Sequence, residues 1–578
     1  MAGRGRICDG GRVLSELVPP SSRLVLATWV GVATALVGIG APVRRLFGRP
    51  ARSADDWLAG FWLGFAASVV VLQLWQLVAP VDRRVLALLG AAGAFGILRE
   101  GTSPWMLLAR GLPRHAGAVL VLAVGAAWLA LEALGGPRNG DSGLYHVPTM
   151  VWHVSHPLPP GLGNLAAPFA YNQSFFLWIA LLDVGPLVGR GSHVTNALFV
   201  VALLARVVLG LSRLVQARAC RPADAVYGML LPAVVPLGLD VNMTSPSPDI
   251  AVYTLGIVVA GEVARFFTTG RRFADLAALA LLAAVAPPLK LSLGGLAAGT
   301  GIVAGLAWLR ARPRDASLGW ATAVIATVAV LGPGVWMLRG VVLSGYPLYP
   351  STFLGMPVDW AVPRDTVVAE AKLIRYWNGV EDWWWVAWRD PMWFIRWLPT
   401  LDWLRADVLV PLGIAVIALA AGLVARLARR DVPRALPGIV LVPTLASIAY
   451  CIAAAPRARY PASAYWVLAV EATLAALPAT VLAADRVRVR RLAATVAVGL
   501  TAVFLSINQP IVTELRDFEP HVRPMLTPFE LPSGLVVYEP AHMQCWDAPP
   551  PCSPFRNEQL RLRRPDALAS GFTVAPPR

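Results

Sequence analysis

Apolar runs about as long as a bilayer is thick, separated by arginine-rich loops, dominate this chain from Ser22 to Ile507. A helix needs about 20 apolar residues to cross roughly 30 Å of hydrocarbon. On that measure spans are expected near 22–41, 57–79, 85–98, 117–135, 194–211, 225–240, 249–266, 273–287, 289–309, 317–338, 407–426, 435–454, 462–484 and 491–507. That is about 14 spans, give or take two, with the pair divided at Pro287-Pro288 also readable as one kinked helix. The chain is 57% hydrophobic and only 15% charged, where soluble domains carry about a quarter charged residues, so a soluble enzyme, a coiled coil and a disordered chain are excluded. The expected fold is an all-α polytopic membrane protein with a small mixed C-terminal part.

The net charge of +16 does not point to nucleic acid, because the basic residues sit between apolar runs as cytoplasmic loops do. The two lysines, Lys290 and Lys372, end no Gly-rich phosphate loop, which removes P-loop ATPases. Residues 1–21 are polar and show no cleavable leader pattern, so targeting is expected from the first spans. Sidedness turns on Ser174–Val188, which is apolar but short and carries Asp183. Read as an interfacial helix that does not cross, it leaves the basic loops around Arg44–Arg52, Arg99–Arg114, Arg213–Arg221, Arg265–Arg272, Arg310–Arg314, Arg426–Arg434 and Arg486–Arg491 inside. Outside lie only Arg83, Arg84, Lys290, Arg457 and Arg459 among the short loops, with Arg4, Arg6 and Arg12 at the N-terminus as the one violation. Residues 1–135 then form N-terminal spans, 136–507 a membrane domain with outer loops 136–193 and 339–406, and 508–578 a small outer module with a strand near Leu535–Tyr538.

The chemistry-bearing residues cluster on that outer side. Gly140-Asp141-Ser142-Gly143-Leu144-Tyr145-His146 puts a carboxylate just past a span, beside Tyr145 and His146. Asp141 reads equally as a cap for the helix that follows, and His146, His153 and His156 as a loop cluster whose spacing suits a metal poorly. In Ser247-Pro248-Asp249 a second acid opens a returning helix, where capping again competes. Lys290 follows two prolines and either snorkels to headgroups or holds a phosphate. Pro456-Arg457-Ala458-Arg459-Tyr460 is a tight turn with two arginines able to clamp a phosphate. Tyr346, Tyr349, Asp359 and Trp360 lie in the large outer loop, followed by eight tryptophans between Trp377 and Trp403 that read as an interfacial helix. Of five cysteines, only Cys545 and Cys552 are near each other and outside, so a disulfide is expected whose loss loosens the tail without touching the candidate catalytic residues. A zinc or redox motif is the alternative there.

In this order and sidedness the motifs resemble the GT-C class of integral-membrane glycosyltransferases. More narrowly they resemble a bacterial multispan group within that class, through Val147–Phe176, Tyr346–Pro363, Pro456–Tyr460 and the stretch from Gln544-Cys545-Trp546-Asp547 to Pro554. The resemblance spans about residues 136–560. Many GT-C enzymes carry an Asp-Glu pair in the first loop, whereas here Ser142 follows Asp141, and a divalent cation is neither required nor excluded. The resemblance implies a GT-C-like bundle in a bacterial inner (cytoplasmic) membrane, with its site on the periplasmic face. It implies a polyprenyl-phosphate-linked sugar as donor and a glycan, lipid or protein as acceptor. Asp141 would be the base, Lys290 with Arg457 or Arg459 would bind donor phosphate, and Asp249 would orient the acceptor or a cation. Tyr145, His146, Tyr346, Tyr349, Asp359 and Trp360 would wall the substrates. The competing readings are a lipid-linked glycan flippase, with Arg206 and Glu262 as its mid-membrane charges, and an O-antigen-type polymerase or ligase.

Overall fold

The computed structural model describes residues 19–47, 53–101, 115–185, 187–269, 273–311, 317–376, 406–428, 432–455, 457, 459–461, 463–507 and 517–575. The chain is a bundle of helices with two small two-stranded sheets near its C-terminus. Among the described residues, seven helices are long and apolar enough to cross a membrane. They are Pro20–Leu46, Ala54–Gln76, Gly191–Val215, Asp249–Thr268, Leu291–Arg310, Ala406–Leu427 and Ala484–Ile507. An eighth is reached if Pro222–Met229 and Leu231–Leu239, bent by 44°, count as one. Among the described residues, length and composition thus bear out seven or eight of the about 14 expected spans. Ala116–Glu132, Phe273–Leu289, Val330–Ser344, Gly438–Ala454 and Ala464–Ala476 are apolar but shorter. Prolines explain part of the shortening: Pro287 and Pro288 occupy the last turn of Phe273–Leu289, and Lys290 then adopts an extended conformation before Gly294–Ala311 begins. The two runs around Pro287-Pro288 are thus separate helices.

The interior is built around aromatic rings. Phe199 stacks on Trp62 at 5.6 Å and meets Phe65 edge-on at 4.8 Å, with Phe175 and Trp178 buried beside them. Phe175–Asp183, within the Ser174–Val188 stretch expected as an interfacial helix, is buried among protein side chains in this core. Its sequence is apolar all round, which is the signature of a buried helix rather than an amphipathic one. On the periphery, Val416, Ile417, Leu423, Val424 and Leu427 of Ala406–Leu427 are exposed, a surface that suits lipid and not water. Pro20–Leu46 packs on Arg83–Glu100 at backbone contact: a Cβ on Gly38 would stand 2.0 Å from the Gly93 carbonyl oxygen. Such small-residue seams bring helices together where hydrophobicity alone gives no preference.

Strands β1 (Leu526–Glu530) and β2 (Val536–Pro540) pair antiparallel, as do β3 (Leu560–Leu562) and β4 (Phe572–Val574). This C-terminal module docks on the bundle through Leu531, Val537, Leu560 and Phe572, which share a core with Trp152, Leu158, Leu162 and Phe169. Its backbone joins too, the Phe572 N–H donating to the Pro160 carbonyl at 2.8 Å.

Buried charges concentrate at the bundle end opposite the module. Arg206 pairs with Asp224 (3.0 Å) and Asp55 (3.5 Å), and Arg213 bridges the same two acids. Glu262 pairs with Arg265, which also reaches Asp275 at 3.1 Å. Arg206 and Glu262, the charges a transporter would place mid-path, are thus engaged by partners within the protein.

Candidate functional site

A cavity of ≈ 1410 Å³ opens at the module end of the bundle. Its wall begins with the loop after Ala116–Glu132. There Arg138 and Asn139 both donate their backbone N–H to Ser245 Oγ at 2.9 Å. Asn139 Nδ2 donates to Asn242 Oδ1 at 2.6 Å, and its own Oδ1 accepts the Asp141 N–H at 2.8 Å. Asn196, buried in Gly191–Val215, donates through Nδ2 to the carbonyls of Asn242, Ser245 and Ser247. Three asparagines and one serine therefore tie the Asp141 loop to the Asp249 turn. Asn196 is the buried member, and its Nδ2 serves three carbonyls of the Asp249 turn at once.

Asp141 lines the cavity, and its side chain does not cap the π-turn Ser142–His146 that follows. Burial pushes its carboxyl above the usual range, while Arg459 and Lys290 pull it part of the way back. Asp249 opens the helix Asp249–Thr268 and gives its carboxylate to Lys290 rather than to a cap. Lys290 Nζ lies 5.7 Å from the Tyr460 ring and the Arg459 guanidinium lies 5.4 Å from the same ring, so Tyr460 sits between two cations. Arg457 lines the same end. Asp141 thus makes no side-chain cap, Asp249 stands in the first turn of its helix while it pairs with Lys290, and Lys290 is an ion-pair partner inside the cavity wall.

Tyr145 and His146 also face the cavity. Burial lowers His146 to about 3, so the imidazole is neutral at physiological pH. Tyr145 meets Tyr171 edge-on at 5.4 Å, and Tyr171 lies 6.4 Å from Tyr349, which makes a row of tyrosines along one side. At its far end the Tyr171 hydroxyl donates to Glu370.

Three expected substrate residues stand elsewhere. Tyr346 is buried among Ala170, Tyr349, Val362 and Val367 and is not part of the cavity lining. Asp359 takes both arms of Arg563 at 2.9 and 3.1 Å, and the Arg563 guanidinium lies 4.6 Å over Trp360. Asp359 and Trp360 thus hold the C-terminal module to the bundle. The tryptophan-rich stretch from Trp377 to Trp403 lies outside the described residues. Among the described residues no three His, Cys, Asp or Glu side chains come together as metal ligands.

The Cys545–Cys552 disulfide is present, with Cα atoms 6.0 Å apart. Its loop reaches the site directly. The Trp546 N–H donates to the Gly143 carbonyl at 3.0 Å, and Gln544 Nε2 donates to the Gly140 carbonyl at 3.3 Å. The expectation that this bridge is remote from the candidate catalytic residues is corrected by these contacts.

Sequence reasoning missed Tyr171, Glu370 and the asparagine ties. Asn242 stood in a polar turn beside Asp249 and was the one available hint. A family model described as a domain of unknown function, DUF8201, matches residues 23–466. No curated protein and no solved structure matches the chain.

Proposed function

The chain belongs to the DUF8201 family, and we propose that it is a membrane glycosyltransferase. In this reading a sugar moves from a polyprenyl-phosphate carrier to a cell-envelope glycan, lipid or protein on the outer face of a bacterial cytoplasmic membrane. The shorter apolar helices complete the crossings begun by the long ones, in a GT-C-like arrangement. The observation that supports it is that a half-buried carboxylate, Asp141, shares one cavity with Lys290, Arg457 and Arg459.

The chemistry is a single displacement. An acceptor hydroxyl oxygen attacks the anomeric carbon while the bond from that carbon to the phosphate oxygen breaks. The phosphate leaves with the bonding electrons, and Asp141 takes the hydroxyl proton. Arg457 and Arg459 offset the charge that develops on the phosphate, and Asp249 holds Lys290 beside them. Attack opposite the leaving group inverts the anomeric centre. The donor is lipid-borne because the outer face has no nucleotide-sugar pool. Nucleic acid has no part in it.

The test is purified protein in lipid nanodiscs given a synthetic polyprenyl-phosphate sugar. Release of polyprenyl phosphate that Asp141→Asn abolishes supports the reading. A wild-type protein that leaves every such donor intact, while moving it between leaflets, would make it a flippase.

A further inference from the structure

The cavity is larger than a donor head group needs, since pockets for drug-sized ligands run from roughly 300 to 1,000 Å³. Asp141, Lys290, Arg457 and Arg459 occupy one end of it, while Lys372, Arg375 and Arg556 also line it. The other end is chemically different and has no role in the displacement above. There the helix Arg364–Tyr376 presents Glu370, which is 8% exposed yet lines the cavity. One Glu370 oxygen takes the Tyr171 hydroxyl. Tyr349 also lines the cavity, and its hydroxyl is buried with no hydrogen-bond partner among the described residues. Asn557 and Gln559 of the C-terminal module complete this part from the water side.

We infer that the Glu370, Tyr171 and Tyr349 end of the cavity is a binding site for the hydroxyl groups of a neutral, water-borne glycan. A carboxylate oxygen and an unpaired phenol are an acceptor and a donor set among tyrosine rings, which suits a polyhydroxylated ring with an apolar face. A fatty or isoprenoid acceptor would leave the buried Tyr349 hydroxyl unpaired, at a cost that selects against it. The tyrosine row from Tyr349 through Tyr171 to Tyr145 then leads such a glycan toward Asp141, four residues before Tyr145. Calling this glycan the acceptor rests on the transferase reading, whereas its binding does not.

The experiment therefore reads binding and chemistry apart. Full-length protein in nanodiscs is applied to an array of neutral bacterial cell-envelope mono- to tetrasaccharides. Wild type retains at least one probe, and Glu370→Gln and Tyr349→Phe each weaken it by about 10-fold or more, the loss expected for one or two hydrogen bonds, one of them to a charged group. Tyr349→Phe keeps the ring and removes only an unpaired hydroxyl, so it folds as wild type and guards against a folding artefact in the Glu370 variant. Capture of no saccharide, or capture that survives both substitutions, overturns the proposal whatever the donor assay gives. A wild-type protein that binds saccharide through Glu370 but never cleaves donor leaves this site standing and removes the transferase reading.

Discussion

Trp546 and Gly143 occupy one place between them. The indole fills the space a side chain on residue 143 would need, an added Cβ standing 2.4 Å from the ring, while the Trp546 N–H holds the Gly143 carbonyl. Trp546 does this with φ at +46°, a left-handed conformation uncommon outside glycine. The chain two residues past Asp141 is thus set by a tail some four hundred residues away.

Gly143→Ala forces one of the two to move. Overpacking of this kind costs about 1–3 kcal/mol, and the displaced loop carries Asp141 with it. Donor turnover should fall well below wild type, and Trp546→Ala in the same chain should restore part of it. Equal turnover in wild type and Gly143→Ala would show that the tail does not position the loop.

Asp141→Asn should lower turnover by about 10² to 10⁴ while folding is kept. Burial raises this carboxyl, so the folded protein binds its proton more tightly than the unfolded chain does. Asp141 then favours folding most at pH below its unfolded value and opposes it as pH rises through the folded value. At neutral pH the Asn variant should therefore melt no lower than wild type. A clear drop in its melting temperature at pH 7 would mean that the carboxylate is a structural partner instead. Turnover of the wild type should have an acidic limb above the usual carboxylate range.

The Lys290–Asp249 pair is partly buried, with side chains 19% and 30% exposed. Lys290→Met alone or Asp249→Asn alone should each destabilise more than the double variant relative to what independent sites would give. The coupling expected for residues in direct contact is ~0.5–3 kcal/mol. Denaturation of the four proteins in one detergent measures it, and a coupling of zero would dissolve the pair.

Cys545→Ser with Cys552→Ser should weaken the module by about 2–3 kcal/mol on the loop-entropy account. Because Trp546 and Gln544 sit in or beside that loop, hydrogen exchange should rise at residues 140–146 as well as in the module. Exchange that rises in the module alone would restore the view of the bridge as remote from the site.

Reporter fusions after Arg218 and Arg490 should face the cytoplasm, and those after Gly161 and Ala541 the opposite side. Identical reports from Gly161 and Arg218 would overturn this sidedness, because one span must separate them.

What was legible in the sequence is what breaks an apolar run. Asp141, Asp249, Lys290, Arg457 and Arg459 stand out because charges at the expected outer ends of the hydrophobic stretches are few, and all five line one cavity. Glu370 and Tyr171 could not be paired from the sequence, because 199 positions separate them and neither stands in a motif. Asp359 and Trp360 looked like substrate residues for their chemistry, yet their partner is Arg563, 204 positions beyond Asp359. Phe175–Asp183 was misjudged through its length: too short to cross, it was placed on a surface, although its uniform apolarity already asked for burial.

The asparagine ties carry one more consequence. Asn139, Asn242 and Asn196 fasten the Asp141 loop and the Asp249 turn to the same interior helix. The two acids thus form a fixed jaw, with no freedom to part from each other. If the cavity widens to admit a lipid-borne sugar, the moving jaw is the facing one, made of Tyr349, the Glu370 helix and the Arg457–Tyr460 turn. A spin label on that helix should then report a change of distance on donor binding, and a label pair across Asn139 and Asn242 should report none.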